Sequence, residues 1–214
     1  MSLLVLKNFS VTLKNKSILS NINFSLEPGE KVFITGPNGA GKTTLVEAIL
    51  GFIPFEGELF FKNKLIKTKK DFQELRKNIG YVFQHPDDQL FSPTVEEELA
   101  FGPLNLGWNR EKIRKKIEEI LKYFRIEHLK TKNIYELSGG EKRIVSIACV
   151  VIMEPEVIIM DEPSNGLDEV NFKILIDFLK TSKKSIIVVT HDKELINELP
   201  WKVYLLKNCK LKAL

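Results

Sequence analysis

"GPNGAGKT", Gly36 to Thr43, decides the fold of this chain. It follows an apolar run, "KVFIT" (31–35), and opens "KTTLVEAIL" (42–50), whose apolar residues recur at helical spacing until Gly51 stops them. A glycine-rich loop between a strand and a helix is the setting of a phosphate-binding loop. Glycines at 36, 39 and 41 let the backbone curl so that its N–H groups, with those of the helix N-terminus, point inward as a positive cradle. Lys42 adds a point charge near the β- and γ-phosphates of a nucleotide, and the Thr43 hydroxyl is a ligand for Mg²⁺. Pro37, Asn38, Ala40 and Thr44 complete the cradle.

Outward from this loop the pattern alternates strand and helix. "SLLVLKNFSVTL" (2–13) and "ILSNINFSL" (18–26) read as early strands, and "GELFFKNKLIK" (57–67) continues that edge after a turn expected at Glu56 and Gly57. An antiparallel flank is expected there. "IGYVF" (79–83), "EVIIMD" (156–161) and "KSIIVVT" (184–190) are apolar runs that suit a buried parallel sheet. Between Pro86 and Tyr135 the reading is helical. Thr94 with Glu97 forms a capping-box pattern, and Ile113, Ile117, Ile120, Leu121 and Phe124 mark an apolar stripe. The expectation is an α/β domain: a core with its β subdomain at about 1–84 and 155–214, and an inserted helical subdomain at about 85–154.

Composition bounds the setting. With 214 residues, 43% of them hydrophobic, the chain can bury a full core. The 32 Lys and Arg stand against 28 Asp and Glu, and the lysines are dispersed without interleaved aromatics. That is the pattern of a solvated surface rather than a nucleic-acid patch. Cys149 and Cys209 lack metal-ligand spacing and are expected to stay reduced. That points to the cytosol, and "MSLLVLKNF", with neither a charged n-region nor a long apolar h-region, leads to the expectation that the chain is neither secreted nor membrane-spanning.

Three further elements carry chemistry. "VIIMDE" (157–162) is an apolar strand ending in two acids; it delivers Asp161 to hold Mg²⁺ and Glu162 to polarise an attacking water. His191 follows another strand end, where it can contact a γ-phosphate or orient Glu162. In "LSGGE" (137–141), Ser138 can cap the next helix while Gly139 and Gly140 bare the backbone, a second anion-binding helix N-terminus without a lysine. One nucleotide rarely needs two such sites from one chain. A head-to-tail dimer resolves this, with Ser138, Gly139, Gly140 and Glu141 of one copy closing on the γ-phosphate held by the other.

"GPNGAGKT", Gln84, "LSGGE", "VIIMDE", "SNGLD" and His191 come in the order of the ATP-binding cassette family, which the chain resembles over nearly its whole length. Within it, "YVFQHPDDQLFSPTVEEELAFGPLNLG" (81–107) resembles the cobalt and energy-coupling-factor branch. The resemblance implies a P-loop NTPase with a RecA-like core, an antiparallel β subdomain and a helical subdomain, hydrolysing ATP with Mg²⁺. It implies Gln84 near the Mg²⁺ and the water, Glu162 as general base and His191 as the switch histidine. It further implies a second ATPase subunit, identical or not, a transmembrane coupling subunit met through about residues 84–98, a separate substrate-binding membrane component, no nucleic acid, and a peripheral place on the cytoplasmic face of the membrane.

In that segment Leu90 and Phe91 are expected to pack on the membrane partner and Asp87 and Asp88 to receive its basic groups; the other reading tucks Leu90 and Phe91 under the helical lobe. The chain departs from the family at four places, one being that it stops soon after the His191 strand where relatives of this branch often carry a longer C-terminal extension that helps hold the dimer, so weak resting dimerisation is expected. Leu13 stands where an aromatic usually stacks on the adenine, which leaves the base without a platform or hands it to another residue such as Phe9. Glu141 replaces a glutamine and puts a negative charge near the partner's γ-phosphate unless it turns back to cap Ser138. Ile144 falls where arginine is common. Two alternatives to a transport ATPase follow: a soluble cassette ATPase acting on nucleic acid or ribosomes, and a weakly active member of an asymmetric pair.

Overall fold

The computed structural model describes residues 2–214; Met1, the first residue of the expected core segment, lies outside them. The described residues divide into two compact units, 2–79, 156–162 and 183–214 in one and 80–155 and 163–182 in the other.

The first unit holds two sheets. β1 (Leu4–Leu13), β2 (Lys16–Leu26), β4 (Glu56–Phe61) and β5 (Lys64–Leu65) form an antiparallel sheet in the order β2-β1-β4-β5. In the other sheet, β3 (Lys31–Thr35), β7 (Val157–Asp161), β8 (Ser185–Val189), β9 (Lys202–Lys207) and β10 (Lys210–Ala213) run in the order β10-β9-β3-β8-β7. β3, β7, β8 and β9 are parallel, with Val32 beside Ile187 and Lys202 and Met160 beside Val188. Every residue of β7 and β8 is buried, as expected for parallel strands covered on both faces. Each of their large aliphatic side chains contributes roughly 1.5–3 kcal/mol by leaving water.

α1 (Lys42–Ile49) follows β3, α2 (Lys69–Asn78) follows β5, and the short α7 (Lys193–Asn197) follows β8. Parallel register aligns the carboxyl ends of the strands, so Gly36, Asp161 and Thr190 all emerge at one edge of the sheet. In parallel α/β sheets that edge is where ligands bind.

The second unit is mainly helical: β6 (Ile79–Val82) leads into it, followed by α3 (Val95–Asn105), α4 (Arg110–Tyr123), α5 (Gly139–Val151) and α6 (Glu169–Thr181). The capping box at Thr94 is formed, Glu97 N donating to Thr94 Oγ1 and Thr94 N to Glu97 Oε2. Ile113, Ile117, Ile120, Leu121 and Phe124 are buried, and Phe124 meets Phe178 of α6 at 5.4 Å between ring centres. α5 runs through the middle of this core, with Ile144, Val145, Ile147 and Ala148 fully buried.

Two expectations fail. Glu56 and Gly57 lie inside β4 rather than in a turn: Gly57, at φ 96°, sits so close to β1 that an added Cβ would stand 2.4 Å from the Asn8 carbonyl oxygen. The turn is made earlier, where Gly51 at φ 74° ends α1. Leu90 is a core residue of the second unit, 6% exposed, whereas Phe91 is 60% exposed, so the two do not share a surface.

The glycines of the two loops differ in what holds them. A Cβ on Gly36 would meet the Leu206 carbonyl oxygen of β9 at 2.2 Å, a backbone atom that cannot swing away, whereas one on Gly139 would meet nothing within 4 Å. Gly36→Ala should therefore lower unfolding stability by at least about 2 kcal/mol, and Gly139→Ala should stay within about 0.5 kcal/mol of the parent in urea titrations.

Candidate functional site

Helix α1 begins unlike the others. α2, α3, α4, α5, α6 and α7 each start on a Thr, Asn, Ser or Asp whose side chain accepts a first-turn N–H. α1 starts on Gly41, at φ 97°, with no side-chain cap. Its first-turn donors at Lys42, Thr43 and Thr44 therefore face the loop with no protein acceptor supplied by a cap. Gly39 at φ 74° and Gly41 place the loop backbone in the left-handed region, and Pro37, Asn38 and Gly39 are exposed. Ala40 N closes the loop by donating to the Pro37 carbonyl at 3.1 Å.

Lys42 is 7% exposed. Its Nζ donates to the Gly36 carbonyl at 3.0 Å and to that of Pro37 at 3.4 Å, and stands 3.7 Å from Glu162 Oε1. The ammonium is thus held inside the loop by weak acceptors that a more strongly charged oxygen can replace. Thr43 Oγ1 donates to Asp161 Oδ2 at 2.6 Å. A hydroxyl and a carboxylate converging beside an anion cradle form the hard oxygen donor set that suits Mg²⁺, an ion that keeps several waters and shares few protein ligands. The residues present fit both the triphosphate and the ion.

Glu162 is buried, 4% exposed, and its backbone lies at φ 48° in the left-handed region. Glu162 N donates to the Val189 carbonyl at 2.8 Å, which holds that turn against β8. Three donors meet its carboxylate: Thr190 Oγ1 at 2.8 Å and His191 N at 3.3 Å on Oε2, and His191 Nδ1 at 2.7 Å on Oε1. A carboxylate only accepts, so the proton of this last bond sits on Nδ1. Thr190 is the site residue that the sequence reading missed. Its only signal was a threonine at a strand end beside His191.

Gln84 and Ser138 to Glu141 belong to the second unit. Arg143, 2% exposed, donates to the Phe83 carbonyl at 2.7 Å and also to that of Gln84. Glu141 does turn back: Ser138 N donates to Glu141 Oε2 at 2.7 Å and Glu141 N to Ser138 Oγ at 3.2 Å, a capping box on α5. Its charge is therefore engaged within its own chain, with Lys132 3.6 Å away. Gly140 is closely approached, a Cβ there meeting the Asn171 side-chain amide Nδ2 at 2.7 Å. Exposed Gly139 is under no such constraint.

Phe9 cannot supply a base platform. It is fully buried and stacked on Phe55 at 4.3 Å between ring centres. Beside the phosphate loop lies a cavity of about 290 Å³ lined by Lys16, Ser17, Ile18, Asn38 and the Lys207–Cys209 turn, with no aromatic side chain.

Burial works to raise the Glu141 carboxyl, but hydrogen bonds from the Ser138 backbone and hydroxyl and the charge of Lys132 outweigh it and hold the group below its ordinary value of 4.5. A lowered folded value means stabilisation that is complete above about pH 4.5 and lost as pH falls through the folded value. Glu141→Gln should thus cost about 0.5–1 kcal/mol at pH 7, and that cost should shrink progressively as the pH is lowered below about 4.5, as read from urea unfolding along a pH series.

The sequence model of the ABC transporter family matches residues 19–165. The energy-coupling factor transporter ATP-binding protein EcfA of Methanocaldococcus jannaschii is 45% identical over 201 residues, 91% of this chain and 72% of the relative. EcfA of Methanococcus maripaludis is 42% identical over 198 residues, 90% of this chain and 71% of the relative. Among solved structures, CbiO1 of Clostridium perfringens, part of the ABC transporter complex CbiONQ, superposes with a TM-score of 0.88 at 36% identity, covering 99% of this chain and 87% of that one. With a phosphate cradle, a carboxylate pair and a histidine at one sheet edge, the chain belongs to the ABC transporter family, as an ATPase of its energy-coupling-factor and cobalt type.

Proposed function

We propose that this ATPase powers an importer of the energy-coupling-factor type by closing head-to-tail on a second ATPase subunit around bound ATP. The observation that carries the proposal is the shared carboxylate edge, where buried Lys42, the Thr43–Asp161 pair, and Glu162 with His191 meet. The uncapped α1 N-terminus and Lys42 take the β- and γ-phosphates. Thr43 and Asp161 would hold Mg²⁺, which when bound neutralises phosphate charge. Glu162 orients the attacking water and takes its proton, and His191 fixes the carboxylate through Nδ1.

Ser138, Gly139 and Gly140 serve the nucleotide on the partner subunit. Support comes from the exposure of Ser138 and Gly139 and from the absence of any local need for glycine at 139. The charge of Glu141 does not oppose the γ-phosphate there, because the cap draws it back to Ser138 N. With an intact Glu162 and its donors, the weakly active variant of this reading gains no support.

The membrane partner is met by the segment around 84–98. Exposed Phe91 packs edge-on against exposed Phe101 at 4.7 Å between ring centres, a pair that needs an apolar cover. Leu90 takes no part, and Asp87 is already paired with Lys142 at 2.6 Å, which leaves Asp88 as the acidic contribution of this segment. The described residues contain no helix long and apolar enough to cross a membrane. In this reading, which rests on the likeness to transporter ATPases, the ATPase sits on the cytoplasmic face and works through a transmembrane coupling subunit, a separate membrane component binding the solute. The named relatives are transporter ATPases, which favours transport over the nucleic-acid alternative.

Three outcomes are expected. Glu162→Gln should keep ATP affinity, lower turnover by about 100-fold or more, and accumulate an ATP-bound dimer on size-exclusion chromatography, whereas Lys42→Ala should lose ATP binding. A Glu162→Gln protein that stays monomeric with MgATP and turns over at the parent rate contradicts the assignment. Because the cis cavity offers no ring to the base, ATP and GTP should bind within about tenfold of each other by calorimetry. Phe91→Ser with Phe101→Ser should leave the ATPase of the isolated chain within about twofold and abolish co-purification with its membrane partner; unchanged co-purification would move the docking surface elsewhere.

A further inference from the structure

The segment from Phe83 to Ser92 is irregular apart from one short turn at Pro86–Asp88, yet buried polar groups hold it at both ends. At its start, Arg143 of α5 donates Nη1 to the Phe83 carbonyl at 2.7 Å and Nη2 to the Gln84 carbonyl. Gln89 adds a second tie, its Oε1 accepting from Phe83 N at 3.1 Å and its Nε2 donating to the Ser146 carbonyl of α5 at 2.7 Å. Ser146 Oγ in turn donates to the Arg143 carbonyl at 2.8 Å. Lys142, next to Arg143, pairs with Asp87 at 2.6 Å. At the far end, Glu98 of α3, 5% exposed, accepts from Phe91 N at 2.9 Å and Ser92 N at 2.6 Å.

Three of these ties run to one helix, and that helix begins at Ser138. Arg143 sits five residues from the cap, roughly 7.5 Å along a continuous helix. A bidentate guanidinium, planar and buried, fixes direction as well as distance. The segment and the helix N-terminus also border one cavity of about 330 Å³, lined by Gln84, Asp87, Gly139, Lys142 and Gly166. Displacement of Phe83 and Gln84 therefore cannot be absorbed by a slack loop. It either breaks buried hydrogen bonds to a charged group or carries α5 with it.

We infer that Arg143, seconded by Gln89, is a positioning residue that makes docking-segment movement and γ-phosphate capture by Ser138–Gly140 a single motion. The inference rests on the head-to-tail reading above and adds to it the element that transmits force from the membrane partner to the partner's nucleotide. By reciprocity, capture of ATP at the α5 N-terminus must restrain the docking segment even when no membrane partner is present.

That last consequence can be read on the chain alone. In a Glu162→Gln background, amide hydrogen exchange over residues 83–91 is compared with and without MgATP, with size-exclusion chromatography reporting the dimer. The parent should show exchange slowed by about tenfold on dimer formation. Arg143→Lys, which keeps charge but cannot grip two carbonyls, should dimerise with MgATP and show less than about twofold slowing. A loss of anchoring alone would speed exchange equally with and without nucleotide, so the nucleotide-dependent difference is the decisive quantity. Gln89→Ala, at a half-buried position, serves as the second variant and should show an intermediate difference. A parent dimer without slowing, or Arg143→Lys and Gln89→Ala dimers slowed as much as the parent, overturns the inference and leaves the head-to-tail reading standing. A parent that does not dimerise with MgATP removes that reading and the inference together.

Discussion

An uncapped helix N-terminus beside a buried ammonium is the constraint on which the rest of this structure depends. Every other α-helix of the described residues meets its first-turn donors with a side-chain oxygen, while α1 meets them with Gly41 and none. Lys42 is buried next to them with two carbonyls and, at 3.7 Å, Glu162 as its counter-charge. Such concentration of unmatched positive character is unfavourable for folding unless an anion completes it, which makes the fold a receptor for phosphate before any catalytic group is considered. Glu162, Thr190 and His191 are then arranged around the same charge. The carboxylate that partly neutralises Lys42 in the free chain is the one assigned to water once phosphate takes over that task.

Much of this was legible because short-range chemistry and long-range topology agree. "KVFIT" before the loop and "KTTLVEAIL" after it could only be a strand and a helix, and β7 and β8, buried along their whole length, read as apolar runs. The Thr94 box and the α4 stripe were equally plain. The C-terminal hairpin was not: β9 is only four apolar residues between two exposed lysines, β10 is short and mostly exposed, and β9 is a strand because it pairs with β3, a contact distant in sequence. α2 escaped because Leu75 is its one buried residue. Gly57 looked like a turn, but its glycine answers the close approach of β1.

The site shows the same division. Lys42, Asp161, Glu162 and His191 were visible as residue types at strand and helix ends, and the structure brings them to one edge. What the sequence could not tell was which neighbours a side chain chooses. Phe9 turned inward to stack on Phe55, Leu90 entered the core while Phe91 stayed out, and Glu141 folded back on Ser138. Arg143, one position before the place where an arginine was looked for, found the carbonyls of Phe83 and Gln84. These choices depend on packing, and each changes the functional reading: no cis platform for the base, a docking surface built on Phe91 and Phe101, and a helix cap in place of a repulsive charge.

Head-to-tail closure on ATP, with a second copy of this chain serving as the other ATPase subunit, must bring the α1 N-terminus of one copy close to the α5 N-terminus of the other. With Cys149 and Cys209 replaced by serine in a Glu162→Gln background, one copy carrying Asn38→Cys is mixed with another carrying Tyr135→Cys, both positions being exposed. A short bis-maleimide should then cross-link the unlike copies with MgATP and not without it. Cross-linking that is absent with MgATP, or equally strong without nucleotide, would rule out ATP-driven head-to-tail closure of two copies.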